Sequence, residues 1–295
     1  MKLAGVFSVL PTPFQFGGDV DPDSLKRVID LFLAAGVNGL TALGVTSEVA
    51  RLNDRERVQV LETVVGHVNG RVPVVAGATA DGLRTCIEYT RLARETGASA
   101  VMISPPRMPK LNSDAVVRHF AAVADAVEID IVVQDYPPIS GYAMEPWLLV
   151  RIAREVAAAK TIKLEDPPTP FKTSRIREAA QGMEIGIFGG LGGVFLLEEL
   201  MAGATGAMTG FAYPDILVEI VKRYHAGDLE GAAAAFYAAV PLMRFEFQEG
   251  LGMAIRKEVL RRRGAIACAD IRPPGAKLDA TTAAALTRVL AWSGK

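Results

Sequence analysis

A lysine stands in the stretch Thr161-Ile162-Lys163-Leu164-Glu165, whose β-branched and apolar neighbours predict a strand closed by the Pro-Pro pair at 167–168. An ammonium in an apolar strand is costly unless it is paired or neutralised. Two readings follow. Lys163 is either an ion-pair partner of a carboxylate such as Glu165, or a nucleophilic amine. A free lysine, with a pKa near ~10.4, is only ~0.04% unprotonated at pH 7, and half deprotonation needs a drop of ~3 units, which burial can supply. Such an amine attacks a ketone and forms an imine, an electron sink that stabilises an enamine after C–H or C–C cleavage. That chemistry needs no metal or cofactor, and neither is expected. His67, His119 and His225 lie in helix-like runs without ligand spacing and read as surface or capping residues.

Side chains alternate along a strand, so Thr161, Lys163 and Glu165 share one face, and Ile162 and Leu164 the other. The elements around them repeat. Strand-like runs at 5–10, 39–46, 73–79, 99–105, 129–136, 160–165, 184–190 and 206–210 alternate with amphipathic runs such as "PDSLKRVIDLFLAAG" and "EPWLLVRIAREV". Several helices are expected to end at glycines 36, 70, 97, 182 and 203. Eight βα units without a composition break predict an α/β fold, a (β/α)8 TIM barrel over 1–225. Further helices at roughly 228–249, 251–264 and 281–292 make residues 226–295 a C-terminal helical extension of the same domain. A doubly wound sheet fits less well, because "LPTPFQFGG" after the first strand is not a dinucleotide fingerprint. Pro-Pro pairs at 105–106, 137–138 and 167–168 mark stiff exits at the barrel face where active sites are built. Lys163 then points into the barrel near that mouth.

The chain has 295 residues, 50% of them hydrophobic, and a net charge of −1. Nothing in that balance favours nucleic acid or an anionic membrane. The longest apolar run is too short to span a bilayer, the N-terminal stretch is a poor signal peptide, and two cysteines make no disulfide framework. A cytoplasmic protein is expected.

A second stretch, "LGVTSEVARLNDRER" (43–57), ends the second strand. With Lys163 and "VQDYPPISG", it resembles the dihydrodipicolinate synthase/N-acetylneuraminate lyase family of (β/α)8 Schiff-base enzymes, over nearly the whole chain. Gly44, Thr46, Glu48, Leu52, Glu56 and Arg57 fit the family's strand-two pattern, and Lys163 fits its Schiff-base lysine. The resemblance implies that Gly44, Val45 and Thr46 hold the carboxylate of a pyruvate-like 2-oxo acid through backbone N–H groups and the Thr46 hydroxyl. It also places Gly189 and Gly190, in "FGGLGGVF", against the distal part of the substrate, and it implies a homo-oligomer, usually a tetramer.

Departures from the family pattern bear on the substrate. Val45 replaces a hydroxyl residue, "SPPRMPKLNSD" lacks the strand-four tyrosine, and "PPISGYAM" lacks the arginine that holds an aldehyde substrate's carboxylate. No Lys or Arg accompanies the 188–195 glycines, which favours a neutral polyol tail over a phosphate. At the family's proton-shuttle tyrosine stands Gln134, with Tyr136 two residues later on the same strand face, so either is a candidate for assisting proton transfer. The expected function is a Schiff-base lyase that dehydrates or cleaves a 2-oxo-3-deoxy sugar acid. Condensation of pyruvate with an aldehyde and non-catalytic 2-oxo acid binding are the alternatives.

Overall fold

The computed structural model describes residues 3–295. In chain order the elements are β1 (Gly5–Val9), α1 (Pro22–Ala34), β2 (Gly39–Ala42), α2 (Asp54–Val68), β3 (Val74–Gly77), α3 (Leu83–Thr96) and β4 (Ala100–Ile103). Next come α4 (Ser113–Ala126), β5 (Asp130–Asp135), α5 (Pro137–Ser140), α6 (Pro146–Glu155), β6 (Thr161–Leu164), α7 (Thr169–Ala180) and β7 (Gly186–Gly189). The chain ends with α8 (Leu196–Met201), β8 (Gly206–Thr209), α9 (Pro214–His225), α10 (Leu229–Glu246), α11 (Gly252–Arg262) and α12 (Ala280–Trp292). The eight strands pair in parallel in sequence order and close, β8 against β1, into a (β/α)8 TIM barrel.

The alternation of side chains sorts two cores. Phe7, Val9, Val75, Ala100, Met102, Val132, Phe188 and Met208 fill the barrel interior. The opposite faces, among them Val6, Leu40, Val101, Val133, Ile162, Leu164 and Ile187, pack against the helices. Glycines 36, 70, 97, 182 and 203 all take positive φ at helix ends, as expected. Every strand begins and ends within the expected runs, and each is shorter than its run. The clearest case is the second, expected to reach 46. Leu43 adopts φ +56°, which turns the chain out of the sheet immediately after Ala42.

Among the described residues, no helix is long and apolar enough to cross a membrane. One histidine departs from expectation. His119 is buried in α4 rather than exposed, stacked edge-on to Phe120, and burial lowers its pKa.

Candidate active site

Strand β6 delivers Lys163 into the barrel, in register with Gln134 on β5 and Phe188 on β7. Lys163 is buried, and its Nζ lies 3.1 Å from Oε2 of Glu165, two residues on along the same face. Gln134 Nε2 donates to that same Oε2 at 2.7 Å. Ser104 Oγ donates to Gln134 Oε1 at 3.0 Å, and the Ser104 N–H donates to Thr79 Oγ1 at 3.0 Å. The ends of β3, β4, β5 and β6 are thus tied into one polar chain that terminates at the amine. With its oxygen engaged by Ser104, the Gln134 amide must present N–H to the carboxylate, which fixes Glu165 as the acceptor beside Lys163. Gly190 makes room for this arrangement, since a β-carbon there would lie 2.4 Å from Glu165 Cγ.

Tyr136 stands at the rim, half-buried, at the start of α5. Burial raises its pKa, with the Glu165 and Glu249 carboxylates adding to the effect, so the phenol stays protonated and near Glu165. The structure therefore places both Gln134 and Tyr136 around Glu165. Only Gln134 makes a hydrogen bond to it.

Across the mouth, Val45–Ser47 forms a single 3-10 turn after β2. Ser47 Oγ donates to the Leu10 carbonyl at 2.5 Å and accepts from the Gly44 N–H at 3.1 Å, and Thr12 Oγ1 donates to the Ser47 carbonyl at 2.6 Å. The turn is thereby bolted to the end of β1, while the buried Thr46 hydroxyl has no partner. A hydroxyl kept unpaired in a rigid turn is ready for an external acceptor. Glu48 closes the turn in a left-handed conformation, φ +58°. It is fully buried and paired at 2.5 Å with the fully buried Lys257 of α11, and it also accepts the Arg272 N–H at 3.1 Å. The C-terminal extension therefore holds the turn from outside.

Glycines 189 and 190 lie at the end of β7 as expected, and Gly192 N donates to Thr209 Oγ1 at 2.9 Å. Behind Gly189 sits Glu199, whose Oε1 accepts from Thr169 Oγ1 at 2.5 Å. Burial pushes its carboxyl up to about 8.

A cavity of about 540 Å³ opens beside the mouth, lined by Gly44, Val45 and Gln134 together with Arg51, Arg57 and Arg107. The loop after β5 carries no cation of its own, as its sequence shows, but Arg107, from the loop after β4, reaches across to it and donates to the Ile139 carbonyl. Arg107 is legible as a residue in "SPPRMPK". Its destination depends on the packing of two loops.

Residues 2–292 match the dihydrodipicolinate synthetase family. The chain belongs to that family. Among its relatives, the L-2-keto-3-deoxyarabonate dehydratase of Azospirillum brasilense is 35% identical over 292 residues, covering 97% of this chain and 93% of that one. The 4-hydroxy-tetrahydrodipicolinate synthase of Methanosphaerula palustris is 29% identical, covering 97% and 98%. The crystal structure of dihydrodipicolinate synthase from Rhodopseudomonas palustris superposes with a TM-score of 0.93 at 33% identity, covering 98% of this chain and 97% of that one. As a member of the dihydrodipicolinate synthetase family the protein is a lyase, from a family of Schiff-base enzymes. Its relatives carry two different activities, so membership leaves the reaction to be argued from the site.

Proposed function

We propose that the protein dehydrates a 2-oxo-3-deoxy sugar acid through a Schiff base on Lys163. The observation that carries this reading is the buried Lys163–Glu165 pair at 3.1 Å, with Gln134 holding the carboxylate in place. The Lys163 amine attacks the C2 carbonyl, and loss of water from the carbinolamine gives the imine. The Val45 and Thr46 N–H groups and the Thr46 hydroxyl receive the C1 carboxylate. C3 is then two bonds from Nζ, within the reach of Glu165, which removes a C3 proton to form the enamine. Departure of the C4 hydroxyl as water, with a proton from Glu165 and a supporting hydrogen bond from the Tyr136 phenol, leaves a conjugated imine. Tautomerisation and hydrolysis release the product and regenerate the amine, for a net loss of one water. A positioned acid–base group of this kind contributes about 10²- to 10⁴-fold.

The similarity to a relative named a 2-keto-3-deoxy sugar acid dehydratase supports elimination over C–C cleavage. The test is incubation with 2-oxo-3-deoxypentonates of each configuration and mass analysis of the products. A product lighter by one water is expected. Pyruvate plus an aldehyde would instead assign retro-aldol cleavage, and no turnover of any such acid would refute the proposal.

A further inference from the structure

Strand β8 ends at Thr209, whose Oγ1 accepts from the Gly192 N–H at 2.9 Å, and Gly210 is the next residue, at the C-terminal face of the barrel. Ser8 pairs with Thr209, the last residue of β8, and the next residue of β1, Val9, has its Cγ1 3.1 Å from the position of a Gly44 β-carbon. Gly210 is thus on the rim between the β7 glycines and the carboxylate-binding turn. What fills its missing side chain is a guanidinium. A β-carbon on Gly210 would lie 2.0 Å from Nη1 and 2.6 Å from Cζ of Arg256, which comes from α11.

Arg256 is buried, and its Nε donates to Glu246 Oε1 at 2.5 Å, while Glu246 Oε2 accepts the Ala212 N–H at 3.1 Å. Nη1 has no hydrogen-bond partner. A buried guanidinium N–H without an acceptor is expensive, and one held at a barrel rim by a fixed carboxylate is oriented for an incoming oxygen. Because Glu246 already balances the charge, the free donor suits a neutral hydroxyl better than a phosphate or a second carboxylate.

We infer that Arg256, seated over Gly210, is a specificity-determining residue that donates to a distal hydroxyl of the substrate, selecting hydroxylated 2-oxo acids over pyruvate. The inference rests on the reading of the site as a Schiff-base centre for 2-oxo-3-deoxy sugar acids, but its test needs only imine formation. Borohydride trapping is titrated with a 2-oxo-3-deoxypentonate and, separately, with pyruvate, and the ratio of the two half-saturating concentrations is compared between proteins. In Arg256→Met the ratio should rise by about 10- to 100-fold, the scale of a lost charged hydrogen bond, with the pyruvate value nearly unchanged. Gly210→Ala removes neither Arg256 nor Glu246 but displaces the guanidinium, and should shift the ratio in the same direction, which covers the case in which Arg256→Met fails to fold. An unchanged ratio in Gly210→Ala, or an equal rise in both half-saturating concentrations, overturns the inference. Absence of dehydration by the wild-type protein would count against the proposed reaction alone, because the trapping ratio is read without turnover.

Discussion

Glu165→Gln isolates the proton-transfer step. The substitution preserves size and leaves an amide oxygen to accept from Gln134 Nε2, which now approaches Glu165 Oε2 at 2.7 Å. What it removes is the basic oxygen 3.1 Å from Lys163 Nζ. Coulomb attraction across that distance at an effective dielectric of ~20 is of order 5 kcal/mol, so the pair contributes to holding the lysine side chain as well. Imine formation depends on the amine, whereas exchange of the C3 protons depends on the base. The assay is proton NMR of pyruvate in deuterium oxide, which follows methyl exchange through the enamine without needing the natural substrate. Glu165→Gln should slow exchange by about 10²- to 10⁴-fold, while borohydride trapping with pyruvate stays within about tenfold of wild type. Gln134→Ala should slow exchange less, through loss of orientation. Tyr136→Phe should leave methyl exchange nearly intact yet slow dehydration, because its phenol serves the leaving oxygen. Exchange in Glu165→Gln within a few-fold of wild type would refute the assignment of the base, and a collapse of exchange in Tyr136→Phe would transfer that role to the phenol.

Two further outcomes concern the supports of the site. Lys257→Met strands the fully buried Glu48 carboxylate, so unfolding in urea should show a loss of about 3 kcal/mol or more, and the pyruvate concentration needed for half-maximal trapping should rise as the turn loosens. Glu199 has a folded-state pKa of about 8 against an ordinary 4.5, so the native state binds the extra proton between those values and stability falls as pH rises through that window. Glu199→Gln should abolish that fall: its stability advantage over wild type, measured by thermal melts, should grow from pH 5 and level off above pH 8, by up to roughly 1.36 kcal/mol per pH unit crossed.

The fold was legible because both of its periodicities are local. Alternating apolar faces gave the eight strands, and the same alternation put Lys163 and Glu165 on the inner face, where both lie. The turn from Gly44 to Thr46 was legible as a motif. Its early departure from the strand was not, because the left-handed Leu43 carries no glycine signal. Partnerships across the mouth were also hidden. Glu165 read as a simple counter-ion to Lys163 until Gln134 and Ser104 were seen to fix it, and Lys257 and Arg256 gave no sign in α11 of reaching Glu48 and Gly210. Such contacts are set by how loops and the C-terminal helices pack over the barrel, which no periodicity along the chain records.

The most direct test of the central claim is borohydride reduction in the presence of pyruvate followed by peptide mass analysis. The peptide carrying Lys163 should gain the mass of a reduced pyruvyl group, and Lys163→Arg should gain nothing. An adduct on Lys160, Lys172 or any other lysine, or no adduct at all, would contradict the account.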